Sequence, residues 1–193
     1  MNIIKKITVL AIGSIAIASC SQQQARRPIS QTSGEFMKQS VIRNKKLIKG
    51  EEAQIDSIIK NNPNIQYIAS QKGYWYTYEV KNEKDTLLPK KGDIAYFDYE
   101  LKDLNGNVIY SDVELRPQIY RVDKQNIMMG LRDGIKLMRK NEKVTFLFPS
   151  HMGYGYHGDN KKIGPNVPLI CTVTLNDFKK EASAKPNSKT KTE

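Results

Sequence analysis

The chain has 193 residues, 39% of them hydrophobic, with 31 Lys and Arg against 20 Asp and Glu for a formal net charge of +11. That charge lies mainly in the flanks: residues 73–178 hold fifteen basic and fourteen acidic side chains, residues 20–72 nine and four, and residues 179–193 five and two. A nucleic-acid binder places a basic stripe, with aromatics in it, on its folded face, so nucleic acid is not an expected partner. Basic flanks fit either solubility or attraction to an anionic membrane or envelope polymer.

The amino end, MNIIKKITVLAIGSIAIASC, pairs Lys5 and Lys6 with an uncharged, mostly apolar run from Ile7 to Ala18. Twelve residues are too few for a membrane-spanning helix, which needs about 20, so residues 1–19 are predicted to be a secretory signal. Ile17-Ala18-Ser19-Cys20 resembles the bacterial lipobox. That resemblance implies cleavage before Cys20, diacylation of its sulfur and acylation of the new amino group. At about 0.8 kcal/mol per buried CH₂, one acyl chain anchors marginally and several anchor firmly. The alternative is an ordinary signal with a chance cysteine. Ser21, where an aspartate would mark retention, resembles the outer-membrane sorting pattern, and implies a lipid-anchored protein facing the periplasm. With Cys20 lipidated, Cys171 has no partner and no internal disulfide forms. Cys171 is then expected as a small buried residue on a strand, in a fold held by an ordinary hydrophobic core.

Residues 20–34 read as a polar, lipidated tether. Thr32 to Glu35 (TSGE) matches a capping box, and apolar residues at 41, 48 and 55 keep one face apolar. An amphipathic helical arm is therefore predicted over residues 35–72, its helix weakened at Gly50 and ending before Asn61 to Asn64. About 27 residues at 1.5 Å each would reach about 40 Å. Such a stripe either packs on its own domain or forms a homodimer or client-binding arm.

From Tyr74 the apolar period becomes two. YWYTYEV, IAYFDYEL, VIYS after the Asn-Gly turn at residues 104–107, QIYRV, KVTFLFP and VPLICTVTLNDF read as strands. Apolar residues at 128, 131, 135 and 138 give one short helix with a buried face. Residues 73–178 are thus one α+β domain, a half-wrapped antiparallel sheet over a helix. The tail 179–193 is polar, without aromatics, and predicted to be disordered.

The segment Phe148 to Ile170 holds both histidines. His151 and His157, with Asp159 nearby, fall short of the four ligands of a structural zinc site, and neither metal nor cofactor is expected. Ser150 beside His151 is not a triad. No G-x-S-x-G elbow, P-loop or dinucleotide fingerprint occurs. What remains is a set of aromatic and apolar residues on many elements that could converge on one pocket. Rotation about an X–Pro bond needs no more than that, because its barrier of about 18–20 kcal/mol is amide resonance and no covalent bond breaks.

In that order of residues, 91–178 resembles the FKBP family of peptidyl-prolyl isomerases. Tyr99 stands seven before the hairpin Gly106. Ile127-Met128, Gly130, Gly134 and Met138 resemble the entry to the family helix. Tyr154-Gly155, Ile163, Pro165 and Leu169 resemble the family's A-Y-G and I-P-P-x-x-x-L elements. The resemblance implies a pocket floored by Leu131 and walled by Tyr99, Ile109, Tyr120, Ile127, Met128, Tyr154 and Ile163. The Met128 N–H and the Tyr154 hydroxyl would hold substrate carbonyls, and the loop with the histidines would be a flap. Phe97, Phe146 and Phe148 are expected to be plain core. Three positions depart from the pattern: Tyr110 stands at the family's acidic site, Gln118 replaces one wall phenylalanine and Cys171 another. They imply a pocket more polar on one side and wider near Cys171, with reduced activity.

CSQQQARRPISQ, the basic helix and KGYWYTYE are similar to gliding-motility-associated FKBP-like lipoproteins of Bacteroidetes. That similarity implies a part in maturing motility or secretion components. Two functions follow as expectations. One is a lipid-anchored prolyl isomerase for X-Pro-containing exported clients, bound to the membrane through Cys20. The other is an FKBP-shaped chaperone or assembly module with little catalysis.

Overall fold

A computed structural model describes residues 34–181, with side chains from residue 37. Cys20, the signal, most of the tether and most of the tail lie outside the described residues. The chain divides between Val41 and Ile42 into two units. The first contributes the opening turns of helix α1 (Gly34–Asn61), and the sheet and its loops belong to the second.

Helix α1 runs unbroken through Gly50, where a Cβ would meet nothing within 4 Å. A glycine in an exposed turn costs a helix about 1 kcal/mol, and 28 residues absorb it. Its carboxyl half is not a free arm, for Ile55 is fully buried and Glu51 nearly so. Strand β1 (Ile68–Ala69) also precedes the boundary that the sequence predicts at residue 73, because Ile68 and Ala69 pair with Tyr76 and Trp75. Among the described residues no helix is long and apolar enough to cross a membrane.

The remaining strands are β2 (Trp75–Val80), β3 (Ile94–Lys102), β4 (Val108–Tyr110), β5 (Gln118–Arg121), β6 (Glu142–Phe148) and β7 (Leu169–Lys179). All pairs are antiparallel, in the order β1-β2-β6-β7-β3-β4, with β5 also on β3. β4 and β5 thus share one edge of β3, parted by the short helix α2 (Asp112–Leu115). Ser111 caps α2, its hydroxyl accepting from the Glu114 N–H.

Alternation sorts the sheet into two faces. Phe97 and Leu101 of β3, Val144, Phe146 and Phe148 of β6, and Cys171, Val173 and Leu175 of β7 are buried in one cluster. The other face is polar along much of its length, with Thr145 bonded to Thr172 and to Glu79, Lys143 to Glu79 and Asn176 to Asp98. It is apolar at one end, where Leu147 is buried between Trp75 and Ile170. Helix α3 (Met129–Gly134) and the 3-10 turn Ile135–Leu137 add Leu131, Ile135 and, just beyond, Met138 to the apolar cluster.

The contact between α3 and the sheet is very close. A Cβ at Gly130 would lie 2.5 Å from the Phe148 ring, and one at Gly134 would lie 2.7 Å from Phe146. Those rings are fully buried and stacked on one another, with centroids 5.2 Å apart, and Tyr74 packs edge-on against both. The Tyr74 hydroxyl donates to Asp133 of α3 at 2.7 Å, which fixes the helix to the start of β2. Gly134→Ala should therefore destabilise the fold by about 1–3 kcal/mol through overpacking, despite the better helix propensity of alanine. Urea unfolding measures this directly, and an unchanged or raised midpoint would mean the ring has room to move.

Candidate functional site

Tyr99, near the middle of β3, lies opposite Val173 and remains half-buried between the buried Phe97 and Leu101. β4 supplies Ile109 and Tyr110, the latter opposite Leu101, and β5 supplies Tyr120. The turn before α3 carries Ile127 and Met128, and α3 itself carries Leu131. β7 places Cys171 between Leu101 and Phe146. The loop from Ser150 to Pro168 brings Tyr154 and Ile163 over this group. All ten residues belong to one hydrophobic cluster or pack against it. Tyr99, Ile109, Ile127 and Tyr154 are half-buried and accessible, whereas Leu131, Ile163, Tyr120 and Cys171 lie beneath them.

The loop is a flap with internal order. It opens with the 3-10 turns Ser150–Met152 and Gly155–His157. The Asn166 N–H donates to the Gly155 carbonyl at 2.8 Å, and the Asp159 N–H to the Ile163 carbonyl at 3.0 Å. Gly158 has a φ of +65°, and a Cβ there would meet the Ile163 carbonyl at 2.3 Å, so this turn admits only glycine. His151 and His157 are exposed on the rim. Among the described residues no three His, Cys, Asp or Glu side chains gather to hold a metal.

The acidic group that the sequence pattern lacks at residue 110 is supplied from the flap. The Tyr110 hydroxyl donates to Asp159 Oδ2 at 2.5 Å, and Asp159 Oδ1 accepts from the Lys161 and Ile163 N–H groups at 2.8 Å each. Lys162 covers the pair, its ammonium 4.8 Å from the Tyr110 ring centroid and bonded to Glu114. Sequence reasoning passed over Asp159 in this role because its partner is 49 residues away. The one local signal was an Asp opening a turn, as Asx side chains do.

Two expected departures resolve differently. The Gln118 amide does not add polarity to the pocket, because it donates to the Leu115 and Arg116 carbonyls at the end of α2. Cys171 opens no space to solvent, being fully buried. Tyr120 is committed inward as well, with its hydroxyl accepting from the Asp123 N–H at 2.9 Å.

The accessible wall is neutral. Burial pushes the Tyr99 phenol far up, and the neighbouring Tyr154 phenol adds to the effect. Burial likewise raises Tyr154, with Asp159 contributing, and drives the Cys171 thiol far up. The bond to Asp159, then burial, raises Tyr110. For Asp159 itself, burial acts upward, but the Tyr110 hydroxyl and the backbone N–H groups outweigh it and hold the carboxyl below its ordinary value. Met128 caps α3 without a side-chain bond, and its N–H takes no acceptor among the described residues, so it is free for a ligand carbonyl. The arrangement suits a small apolar ring flanked by one or two carbonyls.

Residues 86–176 match the family described as FKBP-type peptidyl-prolyl cis-trans isomerase. A probable FKBP-type peptidyl-prolyl cis-trans isomerase of Haemophilus influenzae is 32% identical over 108 residues, or 56% of this chain and 44% of that protein. The FK506-binding protein 2 of Yarrowia lipolytica is 31% identical over 98 residues, or 50% of this chain and 68% of that protein. The crystal structure of FkpA from Escherichia coli shares the fold, with a TM-score of 0.58 at 22% identity over 92% of this chain and 83% of that one. This chain therefore spans less than half of the Haemophilus relative. The match over residues 86–176, together with 31% identity across 68% of the Yarrowia protein, places the chain in the FKBP-type peptidyl-prolyl cis-trans isomerase family.

Proposed function

We propose that the protein is a peptidyl-prolyl cis-trans isomerase acting on exported proteins in the cell envelope, held there by lipid on Cys20. The observation that carries the isomerase reading is the accessible wall of Tyr99, Ile109, Ile127 and Tyr154 over buried Leu131, with its phenols held neutral.

Uncatalysed prolyl rotation takes about 10–100 s at 25 °C. As the amide twists, the carbonyl loses conjugation with the prolyl nitrogen, and the bond becomes less polar. A dry apolar pocket favours that twisted form over the planar ground state and so lowers the barrier. The proline ring would rest on Leu131 between Tyr99 and Ile127. The Met128 N–H and the Tyr154 hydroxyl would hold the flanking carbonyls in position. No proton moves and no bond forms.

The envelope setting rests on the signal and lipobox at residues 1–20, and the motility or secretion role on the amino-terminal resemblance. An FKBP-shaped chaperone with little catalysis is the second reading. It is favoured by Met37, Val41 and Ile42, which are 64%, 48% and 66% exposed on α1. Exposed apolar side chains in sequence proximity suit capture of unfolded segments or a homodimer.

A protease-coupled assay on X-Pro peptides with the full-length chain tests the first reading. Leu131→Asp should abolish acceleration, and Tyr154→Phe should lower kcat/KM by about threefold to tenfold, the worth of one hydrogen bond. Unchanged turnover in folded Leu131→Asp would remove the pocket assignment.

The rate should also be flat between about pH 5 and pH 9, since the phenols and the thiol ionise above that range. Asp159 has a depressed folded value, so its bond to Tyr110 is intact above the ordinary carboxylate value of about 3.9 and is lost as pH falls through the folded value. A break between about pH 5 and pH 9 would instead show that a titrating group outside this wall takes part in turnover.

For the second reading, substitutions on α1 discriminate better than deletion, which would strip Glu51 and Ile55 from the core. Met37→Lys with Ile42→Lys should reduce protection of a proline-free aggregating client while leaving peptide isomerisation intact. Equal protection by this variant would show that the helix is not the capturing surface.

A further inference from the structure

We infer that Glu51 is a positioning residue which locks the flap to helix α1 and so sets Tyr154 over the pocket; this rests on the isomerase reading. Glu51 is 4% exposed. Its Oε2 accepts from the Ser150 N–H at 2.8 Å and its Oε1 from the Ser150 hydroxyl at 2.7 Å, across 99 residues of sequence. Ser150, itself 2% exposed, is the first residue of the flap.

The turn at Ser150 has no cap of its own. Proline stands at its N-cap, with no side chain able to accept from the leading N–H, and such an orphan donor is costly when buried. The carboxylate of α1 takes the place of the missing cap. From Ser150 the constraint runs on through hydrogen bonds: its carbonyl accepts from the Gly153 N–H at 3.0 Å, and Tyr154 is the next residue. Arg43, Asn44, Leu47 and Ile48 of α1 line a groove of about 650 Å³ whose other wall includes Tyr156 and Asn166, so the same helix runs along the base of the flap.

Packing alone does not call for this carboxylate. Ile55 lies one turn further on the same helix face and is fully buried. An apolar side chain at residue 51 would seal the helix at lower cost than a carboxylate, which loses hydration on burial. Among the described residues Glu51 joins no ion pair. Without a cation to offset that cost, the two hydrogen bonds to Ser150 are what the residue provides. A displacement of α1, by a client or by another protein, would accordingly be felt at Tyr154.

The test uses the full-length chain and a proline peptide substrate. Glu51→Ala should lower kcat/KM by no more than Tyr154→Phe does, about threefold to tenfold, chiefly in kcat, as misplacement of a positioned group does. Glu51→Gln, whose amide oxygen still accepts from Ser150, should restore most of the loss. In a Tyr154→Phe background Glu51→Ala should cost less than about twofold, because the group it positions is gone. Equal losses in both backgrounds, or a lowered melting temperature with unchanged kcat/KM, overturns the inference. Ser150→Ala, which deletes only the hydroxyl bond, serves if Glu51→Ala does not fold, and should give a smaller loss in the same pattern. Hydrogen exchange separates this inference from the isomerase reading: Glu51→Ala should speed exchange at residues 152–158 about tenfold, with β3 and β7 unchanged. That shift in a protein that never accelerates isomerisation would retain the latch and remove the activity. No shift, with an active wild type, removes the latch.

Discussion

Two glycines on α3 set how close a helix can come to a sheet, and the position of the whole site follows from that distance. Gly130 and Gly134 bring the helix backbone onto Phe148 and Phe146 with no room for a methyl group. At that separation Leu131 reaches the same cluster as Tyr99 and Cys171. A helix held further out would lower the packing density under the pocket and turn its floor into a soft cavity. The rings that accept the helix are fixed in turn by Tyr74, whose hydroxyl ties back to Asp133 on the same helix. The contact is therefore closed on itself, from strand to ring to helix to strand.

On that base the proposed site is an apolar surface with its polar groups held neutral. The Tyr99, Tyr110 and Tyr154 phenols and the Cys171 thiol are shifted away from ionisation by burial or by hydrogen bonding. The Asp159 carboxylate is bound by a hydroxyl and two backbone N–H groups on the flap side of the wall, and the Lys162 ammonium beside it is paired with Glu114. The bond between Tyr110 and Asp159 joins the hairpin strand to the flap. Its consequence is mechanical as well as electrostatic, because the bond spans from β4 to the loop and anchors the far end of the flap while Ser150 anchors the near end.

The chain outside the sheet has a divided character. The first turns of α1 expose Met37, Val41 and Ile42, whereas Glu51 and Ile55 are buried. One helix thus carries an exposed apolar surface at one end and a hydrogen-bonded contact with the flap at the other. The basic excess of residues 20–72 lies along the same segment, which suits attraction of that segment to anionic surfaces without altering the nearly neutral domain.

The sequence by itself determined most of the elements, though not β1 or α2, because each depends on neighbours in the chain. The period of two located β2, β3, β6 and β7 within one or two residues, and the Asn-Gly pair located the hairpin, where Gly106 has a φ of +88°. The spacing of apolar residues through Leu131, Ile135 and Met138 gave the buried face of the short helix. Family resemblance then brought forward ten wall residues that do meet in one cluster. Tertiary structure alone decided what depends on distant partners. The polar character expected of Gln118 was spent on the carbonyls of α2, and the missing acid arrived from 49 residues away. Half of the apparent arm became part of the domain through Ile55 and the contact between Glu51 and Ser150. Periodicity reports which face of an element is apolar, since that is a local property of the backbone repeat. It does not report which carboxylate meets which hydroxyl, because that depends on where the sheet, once closed around its helix, brings two loops together.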